Sequence, residues 1–123
     1  MIDFSETRRR PSTTIYRGMR VSPEQKTASD TLVYVDDKPL DPKPSQKLCN
    51  HSPNGFNWGY GGSGPAQLAL GILFDYYRSR TFAQRYYQDF KFAVIAKLPQ
   101  EEDWTMTGTD IEAAMAAIRS EEK

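Results

Sequence analysis

The sequence contains one cysteine, one histidine, no net charge and no long apolar run. With Cys49 as its only cysteine, the chain cannot form an intrachain disulfide, which excludes a disulfide-stabilised secreted fold. Basic and acidic residues number 16 each, which disfavours nucleic-acid binding, because that needs a basic excess. The longest stretch of apolar residues and glycine, residues 68–74, is too short for a membrane span. We expect a cytoplasmic protein without a membrane segment or signal peptide.

The length of 123 residues suits one domain of ordinary size. Residues 1–13 are polar and include three consecutive arginines, so they are predicted to form a flexible N-terminal arm. On a neutral protein these arginines favour a solvated, unpaired tail over a phosphate-seeking one. A single α+β domain is predicted over residues 14–120.

Short alternating segments predict a small antiparallel sheet of about three strands. The strands are expected at residues 14–21, 31–35 and 56–60. The last is preceded by an Asn-Gly turn signal and alternates aromatic residues with small and polar ones. Residues 41–47 hold two prolines and no apolar residue, and are predicted to form a loop.

About three helices are predicted to pack against this sheet, which makes the fold class α+β. The first, residues 65–80, is apolar nearly all round and is therefore expected to be buried. The second covers residues 82–97, with Lys91 and Phe92 away from its apolar stripe. The third follows Trp104 and Met106, and begins at a sequence that resembles a capping box.

Residues 59–64, which we call the glycine segment, read GYGGSG and connect the third predicted strand to the first helix. Their G-x-G-x-x-G spacing matches a dinucleotide-binding fingerprint, but the required buried strand, later acid and later parallel strand are missing. A P-loop is excluded because Pro65 and Ala66 occupy the places of its lysine and its serine or threonine. The segment therefore identifies no cofactor.

The glycine segment leads into a helix N-terminus, where free N–H groups and the helix dipole favour an anion. Glycines also let a ligand approach the backbone closely. We therefore expect a non-enzymatic binding protein for phosphate, a nucleotide or a partner's acidic group. The candidate ligand-binding residues are Trp58, Tyr60, Gly61, Gly62, Ser63, Gly64 and Ala66. A purely structural role, turning the chain into a buried helix, explains the same glycines.

Two other function classes stay open from the sequence. A small hydrolase would use Ser63, His51 and Asp75, and needs these side chains to converge. A protein–protein inhibitor would act through a broad surface, to which an exposed Phe92 would belong. Cys49 and His51 lack further ligands at a recognisable spacing, so no metal site is expected.

Several motifs resemble those of a family of small proteins of unassigned activity from bacteria, phages and mobile elements. They are YRG at residues 16–18, the strand–turn segment 33–40, HSPNGFNWGYGGSGPAQLAL at 51–70, YQDFK at 87–91 and WTMT…I at 104–111. The resemblance covers about residues 16–118 and implies a compact α+β domain with the central block as its hallmark. It supplies no catalytic role, and its phage context implies a partner or nucleotide signal from a bacterial defence system.

Overall fold

The protein contains a four-stranded antiparallel sheet, in a computed structural model that describes residues 9–21 and 31–122. The strands are β1 (Ile15–Arg20), β2 (Thr31–Val35), β3 (Lys38–Pro39) and β4 (Trp104–Thr107). Their order across the sheet is β3-β2-β1-β4. The predicted α+β class is confirmed, and the first two predicted strands are present.

The strand register brings the buried side chains together on one face of the sheet. Tyr16 on β1 lies opposite Val35 on β2 and Met106 on β4. Two residues further along β1, Gly18 lies opposite Trp104. Because side chains alternate between the two faces of a strand, this register buries one face and exposes the other.

The strand predicted at residues 56–60 is wrong, and β4 takes its place in the sheet. Two backbone N–H groups of this segment bond outside the sheet: Asn57 N–H donates to Gly64 O and Gly59 N–H to Ile95 O. The alternation of aromatic with small and polar residues arises because Phe56 and Trp58 are buried from a loop, without strand pairing. Residues 104–107, expected only to precede a helix, pair along β1.

The helices are α1 (Lys43–Leu48), α2 (Ser63–Tyr77), α3 (Arg80–Ala93) and α4 (Gly108–Ser120), with a 3-10 turn at Ile95–Lys97. The loop predicted at residues 41–47 is therefore wrong. Its prolines, Pro42 and Pro44, lie at the N-cap and in the first turn of α1, where a missing N–H costs nothing. The predicted capping box is confirmed at the start of α4, between Thr107 and Asp110.

Helix α2 is the centre of the core, as predicted: 12 of its 15 residues are buried. It packs against α3 on one side, and Tyr76 contacts Tyr16 of the sheet through an edge-to-face ring pair. The helix ends at Tyr77, and the next residue, Arg78, caps it in a left-handed conformation (φ 57°). No helix within residues 9–21 and 31–122 is long and apolar enough to cross a membrane.

Residues 9–13 of the predicted arm contact the rest of the protein. Arg10 forms an ion pair with Asp75 (2.8 Å), and Arg9 lies 3.7 Å from Glu112. The backbone N–H of Arg10 also donates to Tyr76 O. The expectation of unpaired arginines is thus wrong at these two positions, while residues 1–8 lie outside the described part of the chain.

We predict that Gly18→Ala destabilises the protein by about 2 kcal/mol, because the added Cβ would overlap the Trp104 indole. Gly61→Ala is the matched control, since its Cβ would meet only the Phe92 ring, at an ordinary 3.5 Å. The control should change the free energy of unfolding by less than about 0.5 kcal/mol. Urea denaturation measures the free energy of unfolding of both variants. Equal losses would contradict the claim that Trp104 leaves no room for a side chain at Gly18.

Candidate functional site

The amide of Gln67 attaches the segment before the glycine segment to α2. Gln67 is fully buried, and its Oε1 accepts the backbone N–H groups of His51 (2.7 Å) and Ser52 (3.0 Å). Its Nε2 donates to Ser45 Oγ on α1 (2.9 Å), which in turn donates to Pro42 O. Since buried backbone N–H groups need partners, this one side chain lets a loop pack against an apolar helix.

A second attachment lies beside the first. His51 Nε2 lies 2.7 Å from the Tyr87 hydroxyl on α3, and the two rings are tilted against each other. The loop is therefore held to α2 by its backbone and to α3 by the only histidine. The contacts of Gln67 and of Tyr87 with this loop are structural, and they determine the position of the chain before the glycine segment.

Steric contacts explain three glycines of the glycine segment, among them Gly64, whose Cβ would lie 2.6 Å from Asn57 Cβ. Gly59 adopts a positive φ of 86°, a conformation that favours glycine, and a Cβ there would overlap the backbone of Gln100. A Cβ at Gly62 would lie 2.6 Å from the Tyr60 ring, which lies against this residue. Gly61 differs, because its Cβ position meets no atom closer than ordinary contact.

The structure separates the two aromatic candidates. Trp58 is fully buried; its indole N–H donates to Glu102 O (3.1 Å), and the Arg20 guanidinium lies 4.3 Å from its ring centroid. Its ring also packs edge-to-face against Trp104, so Trp58 is a core residue and cannot stack on a ligand without rearrangement. Tyr60, by contrast, keeps 38% of its surface exposed.

The remaining candidates surround the first turn of α2. Gly61 and Ser63 are exposed and Gly62 is partly exposed, whereas Gly64 and Ala66 are buried. The N-cap residue Gly62 has no side chain, and no side-chain cap satisfies the helix start. Since the first N–H groups of a helix lack intrahelical partners, the accessible part of this site is the backbone around residues 61–63.

Lys91 is a residue of the site that the sequence did not identify. It was expected on a flank of its helix, yet it is only 7% exposed. Its Nζ lies 3.4 Å from Gly61 O and 3.9 Å from the centroid of the Phe92 ring. Neither partner carries a negative charge, and no ion pair involves Lys91 within residues 9–21 and 31–122.

The three residues of the hydrolase alternative do not come together. Ser63 and Asp75 lie at opposite ends of α2, about 18 Å apart for 12 residues at 1.5 Å each. His51 contacts Tyr87, and Asp75 accepts hydrogen bonds from Arg10 and from the Tyr16 hydroxyl (2.5 Å). This arrangement provides no nucleophile–base pair among these residues.

Asp75 instead belongs to a polar cluster at the other end of α2. Burial, and then the adjacent Asp75 charge, raises the pKa of Tyr16 far above its ordinary value, so its hydroxyl stays a donor. Two cavities of about 300 and 400 Å³ share Asp75, Asp41 and Leu40 in their linings. In the described part of the chain, no three metal-binding side chains gather closely enough to hold an ion.

Comparison with known protein families gives a match over most of the chain. A family described as "Family of unknown function (DUF6166)" matches residues 16–117, which is most of the sheet and all four helices except the end of α4. No curated protein and no solved structure matches the chain.

We predict that Gln67→Met, a change that nearly preserves volume, lowers the free energy of unfolding by about 3 kcal/mol. The backbone N–H groups of His51 and Ser52 would lose their acceptor while staying partly buried. Gln84→Met is the control, because Gln84 is exposed and makes one 3.5 Å contact. Thermal and urea unfolding measure the difference; a Gln67→Met loss no larger than that of the control would show that this amide is dispensable.

Proposed function

We propose that this chain, which belongs to that family of unknown function, is a non-enzymatic binding protein that holds an anionic group at the glycine segment. The observation that carries the proposal is Lys91, a nearly buried residue beside Gly61 whose ammonium contacts only neutral groups within residues 9–21 and 31–122. Helix α2 begins at Ser63, two residues after Gly61.

A buried ammonium without an acidic partner is costly, because a carbonyl and an aromatic face replace only part of its hydration. An anion bound beside Gly61 would offset that cost and form a charge-assisted hydrogen bond with Nζ. Proteins that bind anions accept such costs in the free state, since the ligand supplies the missing charge. The burial of Lys91 thus favours a ligand over a purely structural glycine segment.

The helix start adds a second source of positive potential. The N-terminus of α2 carries unsatisfied N–H groups and the positive end of the helix dipole, and Gly62 offers no side-chain oxygen to cap them. Gly61 precedes the N-cap residue, accepts a hydrogen bond from Lys91 at its carbonyl oxygen, and is exposed. Its missing side chain leaves room for a ligand oxygen to approach the backbone.

The ligand class that suits these groups is a phosphate, either free or as part of a nucleotide. The partly exposed Tyr60 ring is available beside the segment for stacking on a base. On the resemblance to phage and mobile-element proteins, we include nucleotide signals of bacterial defence among the candidates. A partner protein's acidic side chain would use the same positive groups.

The test is a titration of the protein with inorganic phosphate and with ADP by isothermal titration calorimetry. Lys91→Met keeps the length of the side chain and removes its charge, and should weaken binding at least about tenfold. Lys97→Met removes a charge from the nearby exposed 3-10 turn and should leave the affinity unchanged.

Two results would contradict the proposal. One is the absence of binding of either compound to the unmodified protein at millimolar concentration. The other is an equal effect of Lys91→Met and Lys97→Met, which would mean that only overall charge matters. Gly61→Ala, which should preserve stability, tests separately whether close approach to the backbone is needed.

A further inference from the structure

A groove between α3 and α4 is lined in part by Phe92, whose ring also contacts Lys91. It has a volume of about 450 Å³. Its lining consists of Asp89, Phe92, Ala93, Ile118, Glu121 and Glu122. We call it the α3–α4 groove.

The floor of the groove is apolar because Phe92 cannot join the core. Phe92 is 59% exposed, the highest value among the exposed large hydrophobic residues of the described chain. At about 100° per residue it points roughly 200° away from Phe90, which is fully buried on the core face of α3. No rotation of α3 would bury both rings, so the exposure of Phe92 is built into the sequence.

The rim of the groove is negative. Asp89, Glu121 and Glu122 supply three carboxylates, and none of the described lining residues is a lysine or an arginine. Glu122 accepts hydrogen bonds from Arg85 (2.8 Å) and Tyr86 (2.7 Å), and the ion pair with Arg85 offsets its charge, so Asp89 and Glu121 supply the negative charge of the rim. Asp89 and Glu121 form no ion pair within residues 9–21 and 31–122.

The helix ends reinforce this charge. The last turns of α3, which ends at Ala93, and of α4, which ends at Ser120, both border the groove. The helix dipole gives a helix C-terminus a partial negative charge. The groove therefore combines an exposed aromatic floor with a negative potential from side chains and backbone.

We propose that the α3–α4 groove binds a segment of a partner protein that carries a basic side chain beside an apolar one. The apolar side chain would pack on Phe92 and Ile118, and the basic group would lie between Asp89 and Glu121. Charge complementarity of this kind selects the partner and speeds its association. An exposed aromatic residue is typical of the centre of such an interface.

Other occupants fit less well. A second copy binding through the same groove in a two-fold arrangement would oppose carboxylates with carboxylates. The chain's own Arg9 and Arg10 pair with Glu112 and Asp75, away from the groove. Nucleic acid and anionic lipid are excluded by the sign of the charge.

The test uses fluorescence anisotropy with a labelled helical peptide of lysine and leucine, and a matched peptide of glutamate and leucine. The lysine peptide should bind, and binding should weaken as salt is added. The double variant Asp89→Asn/Glu121→Gln should weaken it about fivefold, and Phe92→Ala about tenfold. Glu101→Gln and Leu32→Ala, at exposed positions elsewhere, are the controls and should not change the affinity.

Three outcomes would overturn the inference: no binding of the lysine peptide, equal binding of the glutamate peptide, or equal losses in the control variants. Sedimentation equilibrium tests the second-copy alternative, because a dimer that Phe92→Ala dissociates would assign the groove to self-association instead. The Asp89→Asn/Glu121→Gln variant leaves Lys91 unchanged. A loss of peptide binding in this variant can therefore be distinguished from a loss of phosphate binding.

Discussion

The arrangement of the protein depends on one buried side-chain amide. Helix α2 is apolar nearly all round, so it must be covered on every side, and part of that cover is a loop with polar backbone groups. Gln67 supplies the partners that these polar groups need. Its side chain accepts hydrogen bonds from two of the N–H groups and donates one to Ser45 on α1. A leucine at this position would leave the loop without partners, and the loop determines where the glycine segment begins.

The candidate site follows from that attachment. Once His51 is fixed by Gln67 and Tyr87, two further backbone bonds hold the chain, from Asn57 to Gly64 and from Gly59 to Ile95. These bonds bring Gly61 beside Lys91 of α3, 30 residues away in the sequence. The positive potential at the candidate site therefore has two sources, the start of α2 and Lys91, and the second is brought there by tertiary packing.

The sequence predicted the strongly periodic or capped elements, together with β1 and β2, and missed α1, β3 and β4. Apolar residues on all sides identified α2 as buried, and the Thr107 capping box located α4. Strand β4 is four residues long and its partner β1 is remote in sequence, so local pattern could not reveal it. Prolines that suggested a loop lie in the first turn of α1. Within the site, the glycine segment was visible, but Lys91 resembled any solvated flank residue.

The central claim is that the start of α2 and Lys91 hold one anion together. The most direct measurement is a crystal structure of the protein grown with ADP. The account predicts a phosphate oxygen within about 3.2 Å of Lys91 Nζ and of a backbone N–H among residues 61–64. Nucleotide bound elsewhere, or Lys91 Nζ paired with a carboxylate of the protein itself, would contradict it.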